Sequence, residues 1–418
     1  MKILVVGSGG REHALAWRLS HEADVIVTPG NPGIAEDVRC AAVPATDFSG
    51  IVALARAEAV DLVVIGPEDP LILGLGDQLR AANIPVFGPG KASARLEASK
   101  VFAKAVMSQA GVPTAAYRTF EHPETAIAYA RERFADGYPC VVKASGQALG
   151  KGVIMCDSAE DAEAAIRAML VERVFGDSGA EIVIEDRLEG PEFSVFSIVG
   201  EQNFVTLPIA QDYKRVGDGD HGPNTGGMGS YSPVPGIPER LVAEVEQTII
   251  RPTLDAMRAD GKPFTGTLFT GVMMHRGRPH CLEFNVRFGD PETQSLMMRL
   301  GDGFAAALWQ SATGDIVEVP QIRPEAAVSV VIASAGYPGP ISRGLPIAID
   351  PLPEGVKVFH AGTARKNDHV VTNGGRVLCL SAIAAGIPEA RELAYRATHA
   401  VRFEGAIFRR DIAAGVSA

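Results

Sequence analysis

The sequence predicts an α/β and α+β multidomain protein, with an N-terminal doubly wound parallel-sheet domain and a C-terminal α+β domain. Three observations predict it. Residues 1 to about 90 alternate short apolar runs with glycine turns. Near residue 139 the texture changes to short strands broken by a lysine- and glycine-rich loop. After a Pro-rich stretch at 319–324, a last set of strand-like runs begins. The 418 residues are 46% hydrophobic and 21% charged, enough core for roughly two to four domains.

The first observation rests on four runs. Ile3–Val6 ends in Gly7-Ser8-Gly9-Gly10, Val25–Val27 in Pro29-Gly30-Asn31, Leu62–Ile65 in Gly66-Pro67-Glu68, and Val86-Phe87 in Gly88-Pro89-Gly90. Helical stretches at 11–20 and 50–59 lie between them. Apolar strands alternating with helices and glycine turns are the form of a parallel sheet buried on both faces. Ligands of such sheets sit beyond the carboxyl ends of the strands, where these turns fall. Residues 91–110 read as one helix with Gly111 as its C-cap. In the middle unit, the run from Pro139 leads through Lys143 into the loop 145–152 and out into Val153–Cys156. A helix at 158–173 and strands at 181–185, 192–199 and 203–210 follow. Residues 211–236 keep no period and read as a long loop, suited to wrapping a small polar substrate. A helix at 238–259 and strands at 266–274 and 279–286 close this unit. The last unit holds strands at 328–333 and 357–360 and a hairpin-like run at 370–380. The expected domains are 1–100, 101–324 with an inserted lid at about 120–190, and 325–418.

Composition excludes several classes. No apolar run approaches the ~18 residues that span a bilayer. The N-terminal run reads as a buried strand, not a signal peptide, so the expected location is cytoplasmic. The five cysteines are scattered and odd in number, which argues against a disulfide framework or zinc site. A net charge of −11 argues against a long basic face for nucleic acid. Nine histidines without HxH or HExxH spacing, and no Gly-x-Ser-x-Gly, exclude the familiar zinc and serine hydrolases.

The strongest chemical signal is the segment Glu283–Glu292. If 281–287 is a strand, Glu283, Asn285 and Arg287 share one face, led by Cys281, while Leu282, Phe284, Val286 and Phe288 face a core. A carboxylate and an amide oxygen in line suit magnesium, which takes one or two protein oxygens plus phosphate and water. The alternative is a half-exposed strand with a surface ion pair. Lys143 and the loop with Gly146, Gly150, Lys151 and Gly152 offer backbone N–H groups and charge to phosphates. The following Gly and absent helix do not match the common phosphate loop, so a glycine hairpin closing as a flap fits better. Lys100 and Lys104 share a helix face. Glu185, Asp186 and Glu192 lie at strand ends, with Val183 and Leu188 as apolar neighbours for a ring. Gly7-Ser8-Gly9-Gly10-Arg11 lacks the third spaced glycine of a dinucleotide fingerprint, and the second strand ends without an acidic residue, which argues against NAD. A helix N-terminus with Arg11 still suits a phosphate.

Taken in order, these segments resemble the ATP-grasp enzymes, and most closely the phosphoribosylamine–glycine ligase (glycinamide ribonucleotide synthetase) family. The segments that carry the resemblance are Gly9–Ala14, Pro29–Asn31, Gly66–Glu68, Gly150–Val153, Gly222–Gly229, Glu283–Gln294 and Val371–Val377. They span the whole chain. The resemblance implies an ATP-grasp fold and ATP-dependent ligation of glycine to 5-phosphoribosylamine through glycyl phosphate, in purine synthesis. It implies Mg2+ (or Mn2+) on Glu283 and Asn285, and ATP phosphates on Lys104 and Lys143 under the flap with Gly150, Lys151 and Gly152. Glu185, Leu188 and Glu192 then hold adenosine. Gly9, Gly10, Arg11, Asn31, Pro67 and Glu68 line the phosphoribosylamine side, and Asp212, Lys214, Gly227 and Arg287 lie near glycine and the acyl phosphate. Small-molecule substrates and a monomer or weak homodimer are expected. The chain departs from the family pattern at Ser145, where the flap usually has Asp, at Gln147 and Leu149, and at Tyr213, often histidine. Residues 267–275 also lack the acidic metal ligand that many ATP-grasp enzymes carry on the preceding strand.

Overall fold

A computed structural model describes residues 1–147 and 152–417. The N-terminal unit is a five-stranded, all-parallel sheet in the order Arg39–Cys40, Asp24–Pro29, Lys2–Gly7, Leu62–Ile65, Val86–Phe87. The order reverses between Lys2–Gly7 and Leu62–Ile65, which opens a crevice there at the carboxyl ends of the strands. Ile3, Leu4, Val5 and Val6 are fully buried, because helices cover both faces. The chain leaves Gly7 at φ +134°, and a Cβ there would lie 2.4 Å from Glu12 Cγ. That closeness lets Glu12 reach back to accept the Gly9 amide at 2.7 Å and cap helix Gly10–Leu19.

The predicted single helix over 91–110 is two, Lys91–Ala98 and Lys100–Gln109. Ser99 is extended and its hydroxyl accepts the Phe102 amide, so it caps the second helix. The apolar pattern ran across the break unchanged.

The segment expected as a lid holds a four-stranded antiparallel sheet ordered Tyr117–Phe120, Ile182–Asp186, Cys140–Ala144, Val153–Met155. Helices Pro123–Ala135 and Ala159–Leu170 pack on it around a core of their own. A second antiparallel sheet is ordered Phe204–Thr206, Glu192–Val199, Gly266–His275, Arg278–Asn285. The strand expected at 203–210 spans only 204–206.

The stretch 211–236 is not a loop throughout. Gln211–Asp212 and Gly229–Ser232 are strands of the C-terminal sheet, next to Ala326–Ser334, Arg376–Ala384 and Val356–His360. Between them, Arg215–Gly217 and His221–Asn224 form a hairpin. Glycine and charge had hidden these short strands. The C-terminal sheet therefore takes strands from both sides of the expected boundary at 324. The run 370–380 is not a hairpin either. His369–Thr372 pairs with Thr363–Lys366, while Arg376–Ala384 joins the large sheet. Among the described residues, no helix is long and apolar enough to cross a membrane.

Candidate active site

Strand Arg278–Asn285 and the residues after it alternate as predicted. Phe284, Val286 and Phe288 are buried in cores, and Glu283, Asn285 and Arg287 lie half-buried on the other face. Cys281 does not lead that row: a bulge falls opposite Gly271 and Val272, so Leu282 is the extra residue and Cys281 is fully buried. Burial raises the Glu283 pKa, but Lys100, Lys143, Lys214 and Arg287 outweigh it and hold the carboxylate below its ordinary value. An ionised carboxylate beside an amide oxygen fits a hard cation. Among the described residues no group of three His, Cys, Asp or Glu side chains gathers as a metal site. The donor set thus fits an ion that takes most of its ligands from phosphate and water.

Helix Lys100–Gln109 and the lid sheet converge on Glu185. Its carboxylate meets Lys104 Nζ at 2.6 Å and, on the other oxygen, Lys143 Nζ. All three side chains are less than a tenth exposed. Lys104 also donates to Thr114 Oγ1 at 2.7 Å, which donates on to the Cys281 carbonyl. Burial opposes the charge on Glu185, yet the two ammonium groups keep its pKa below the ordinary value. Glu185 is therefore not an open strand-end acceptor: both oxygens are engaged, one by Lys104 and one by Lys143. Leu188 lies half-buried just beyond that strand. Gly152 is described, and its carbonyl accepts the Ala144 amide at 2.8 Å. The expected roles of Gly150 and Lys151 fall outside the described residues.

The link after strand Gln211–Asp212 contributes Lys214, whose Nζ lies 2.7 Å from Glu192 Oε2 and 3.4 Å from Asp212 Oδ1. Burial raises the Asp212 pKa; Lys214 opposes this and Glu192 adds to it. Gly227 closes this side at φ +111°, where a Cβ would lie 2.4 Å from Pro291 Cδ. Only glycine fits that contact. Glu292 is buried, accepts from Ser194 Oγ at 3.3 Å, and is pushed up to about 7 by burial and then by Asp212.

At the sheet crevice, Glu68 sits between two guanidinium groups. Arg287 Nε is 3.4 Å and Arg11 Nη2 3.5 Å from its Oε2. Both arginines also donate to the Phe288 carbonyl at 3.2 Å. Pro67 is the N-cap of the helix that Glu68 begins. Gly9 and Gly10 open the neighbouring helix, the Gly9 amide being taken by Glu12. Asn31 is occupied internally. Its Nδ2 donates to the Ser8 and His360 carbonyls, both at 2.8 Å, and its Oδ1 accepts the Ile34 amide. It shapes the crevice rather than presenting a free amide.

Three matches decide the family. The phosphoribosylglycinamide synthetase N domain matches residues 1–97, its ATP-grasp (A) domain residues 98–293, and its C domain residues 327–415. The chain belongs to the phosphoribosylglycinamide synthetase family. A phosphoribosylamine–glycine ligase of Rhizobium meliloti (strain 1021) is 46% identical over 99% of this chain and 98% of its own length. One of Chlorobaculum tepidum is 46% identical over 99% of each. The crystal structure of phosphoribosylamine–glycine ligase from Thermotoga maritima matches with TM-score 0.86 and 37% identity, over 99% of this chain and 100% of that one. The biotin carboxylase domain of Hydrogenobacter thermophilus 2-oxoglutarate carboxylase, solved with MgADP, matches with TM-score 0.73 at 18% identity, over 97% and 91%. That last likeness concerns the fold alone, and it is the ATP-grasp fold.

Within this synthetase-family site, sequence reasoning missed two charged residues. Glu97 accepts the Val286 amide at 2.8 Å and pairs with Arg287 Nη2 at 3.0 Å, aiming the guanidinium. Arg376 reaches from the C-terminal sheet to the Gly226 and Asp290 carbonyls, both at 2.6 Å, and to Asp290 Oδ2 at 3.1 Å. The only local sign of Arg376 was its place after Gly374-Gly375. Glu97 had none.

Proposed function

We propose that the chain joins glycine to 5-phosphoribosylamine in two steps through glycyl phosphate. It is an ATP-dependent carbon–nitrogen ligase of purine nucleotide biosynthesis, giving glycinamide ribonucleotide, ADP and phosphate. The observation that carries the two-step reading is one run of charged groups. It starts at Lys104, Glu185 and Lys143, passes Glu283 and Lys214, and ends at Arg287, Glu68 and Arg11. In this reading the run joins a nucleotide end to a phosphoribosyl end, with glycine between them.

In this reading Lys104 and Lys143 bind the ATP phosphates, ordered by Glu185, with Lys100 beside them. Glu192 and the segment at Leu188 hold adenosine, and the flap with Gly150, Lys151 and Gly152 covers the phosphates. Glu283 and Asn285 would hold magnesium, or manganese in its place, which would offset charge on the phosphate oxygens. Asp212, Lys214, Gly227 and Arg287 bracket glycine. Its carboxylate oxygen takes the γ-phosphoryl group, which turns a poor acyl donor into a good one. Gly9, Gly10, Arg11, Asn31, Pro67 and Glu68 place the phosphoribosylamine, whose amine attacks the acyl carbon as phosphate leaves. No protein nucleophile takes part. The work is positioning and charge compensation. The acidic net charge and the small substrates support a cytoplasmic enzyme that acts as a monomer or weak homodimer, without nucleic acid or membrane.

The test is isotopic. Glycine labelled with 18O in its carboxylate should pass one label to the released phosphate, and ADP release should need both glycine and phosphoribosylamine. Unlabelled phosphate removes the acyl phosphate; ADP release with a different amine removes the substrate assignment.

A further inference from the structure

Asp212 and Lys214 face the site, and the segment that carries them, the end of strand Gln211–Asp212 and the link after it, is held from behind. Side chains alternate along this extended segment, so Tyr213 points the other way. Its ring lies 4.8 Å from the Arg409 guanidinium carbon. Its hydroxyl accepts the Ala413 amide at 2.8 Å. Its backbone bonds the far strand, with its N–H on the Gly229 carbonyl and its carbonyl on the Met228 amide.

Arg409 is 1% exposed and its guanidinium donates four hydrogen bonds. Two form a fork on Asp411, at 2.8 and 2.6 Å. Nη1 donates to Asp220 Oδ1 at 2.6 Å and to the Arg215 carbonyl at 3.1 Å. Asp411 in turn accepts the Gly219 amide at 2.8 Å, and Asp218 accepts the Arg410 amide at 2.7 Å. The segment thus grips both the root and the tip of the hairpin that follows Lys214. It is itself seated on helix Ile387–Thr398. Arg391 donates to the Ile412 and Arg410 carbonyls, and the Tyr395 hydroxyl bridges the Arg409 carbonyl and the Ile412 amide.

We infer that Arg409–Ala413 is a clamp that positions Asp212 and Lys214, with Tyr213 as the pin it grips. This rests on the reading that those two residues bracket glycine. The physical case is over-determination. A lysine head rides on a flexible four-carbon stem, so its reach depends on where the backbone aims its Cα–Cβ bond. A buried guanidinium with a bidentate carboxylate and two further acceptors fixes that aim in three directions. A misplacement of about 1 Å at a reacting centre costs about 10²-fold. Arg409 and Tyr213 are positioning residues; neither touches substrate.

The experiment uses the full chain and four variants: Arg409→Lys, Tyr213→Phe, Lys214→Met and the double variant Arg409→Lys/Lys214→Met. Arg409→Lys keeps the charge and loses the fork. Its kcat/KM for glycine should fall about tenfold or more, with KM for ATP within about twofold of the parent, at a temperature where it is fully folded. In the Lys214→Met background the same change should add little, because its effect passes through Lys214. If Arg409→Lys does not fold, Tyr213→Phe carries the same comparison, since it keeps the ring and removes only the hydroxyl. Additive losses, or an unchanged glycine kcat/KM in a folded variant with a lowered Tm, overturn the clamp. An unchanged glycine kcat/KM in Lys214→Met overturns the site reading itself, and the clamp with it.

Discussion

Glu68 shows how single residues are tuned here. Burial alone would raise its pKa, but Arg287 and Arg11 outweigh burial and hold it at about 2 against an ordinary 4.5. A depressed folded-state pKa contributes stability that is present above the unfolded value and lost as pH falls toward the folded one. Glu68→Gln should therefore lower stability at pH 7 by roughly 1–3 kcal/mol and flatten the loss between about pH 4.5 and 2. Urea midpoints at the two ends of that window measure both; an unchanged slope would mean that other carboxylates carry the window. Glu283→Ala and Asn285→Ala should each cost ~10²-fold or more in turnover, since a bound metal offsets several kcal/mol of phosphate charge. Steady-state turnover near normal in both would sink the metal assignment. These residues were legible because their signal is local: alternation needs only seven residues to put Glu283, Asn285 and Arg287 in one row. Glu97 was not legible, because its partner Arg287 is 190 positions away. Asn31 was legible as a turn residue, but its three internal hydrogen bonds were not, since two depend on Ser8 and His360.

At the scale of elements, the break at Ser99 matters most. One straight helix over 91–110 would satisfy the apolar pattern. The break instead lets Lys100 donate its amide to the Ser145 carbonyl at 2.8 Å, and puts Ser99 Oγ 3.3 Å from Ser145 Oγ. The helix that carries Lys104 is thus tied to Ser145, just beyond strand Cys140–Ala144. Ser99→Ala should cost about 1 kcal/mol, the usual loss for an N-cap. It should also raise KM for ATP, because the tie to Ser145 loosens; urea midpoints and initial rates report the two effects separately. A loss of stability with KM for ATP unmoved would make Ser99 a cap and nothing more. Strand content was legible where apolar runs were long, as at 326–334, which is buried along its whole length. It was hidden at Gln211–Asp212 and Gly229–Ser232, where strand pairing across the chain overrides weak local propensity.

Those hidden strands decide how the whole molecule divides. Strand Ala326–Ser334 lies between Arg376–Ala384 on one side and Gly229–Ser232 on the other. A chain of buried hydroxyls crosses the same seam. Ser230 Oγ meets Ser295 Oγ at 2.8 Å, Ser295 donates to Ser329 at 2.8 Å, and Ser329 meets Ser381 at 2.7 Å. A fragment of residues 325–418 would leave strand 326–334 an open apolar edge up to Ile332, beyond which Ala406–Ile407 pairs with it, and would strip Ser329 of Ser295. Such an edge invites aggregation, and Ser329 would keep only its Ser381 partner. The lid presents the opposite case. Its four strands pair only with one another, and the core beneath them is drawn from residues within 120–184. Fragment 114–189 should therefore unfold cooperatively by circular dichroism and show dispersed amide resonances, although small domains of this size are marginal. Fragment 325–418 should do neither. A cooperative C-terminal fragment would show that the shared strands are ornament to that sheet. A collapsed lid fragment would show that the Lys104–Glu185 pair, which crosses out of the lid, is needed to hold the lid together.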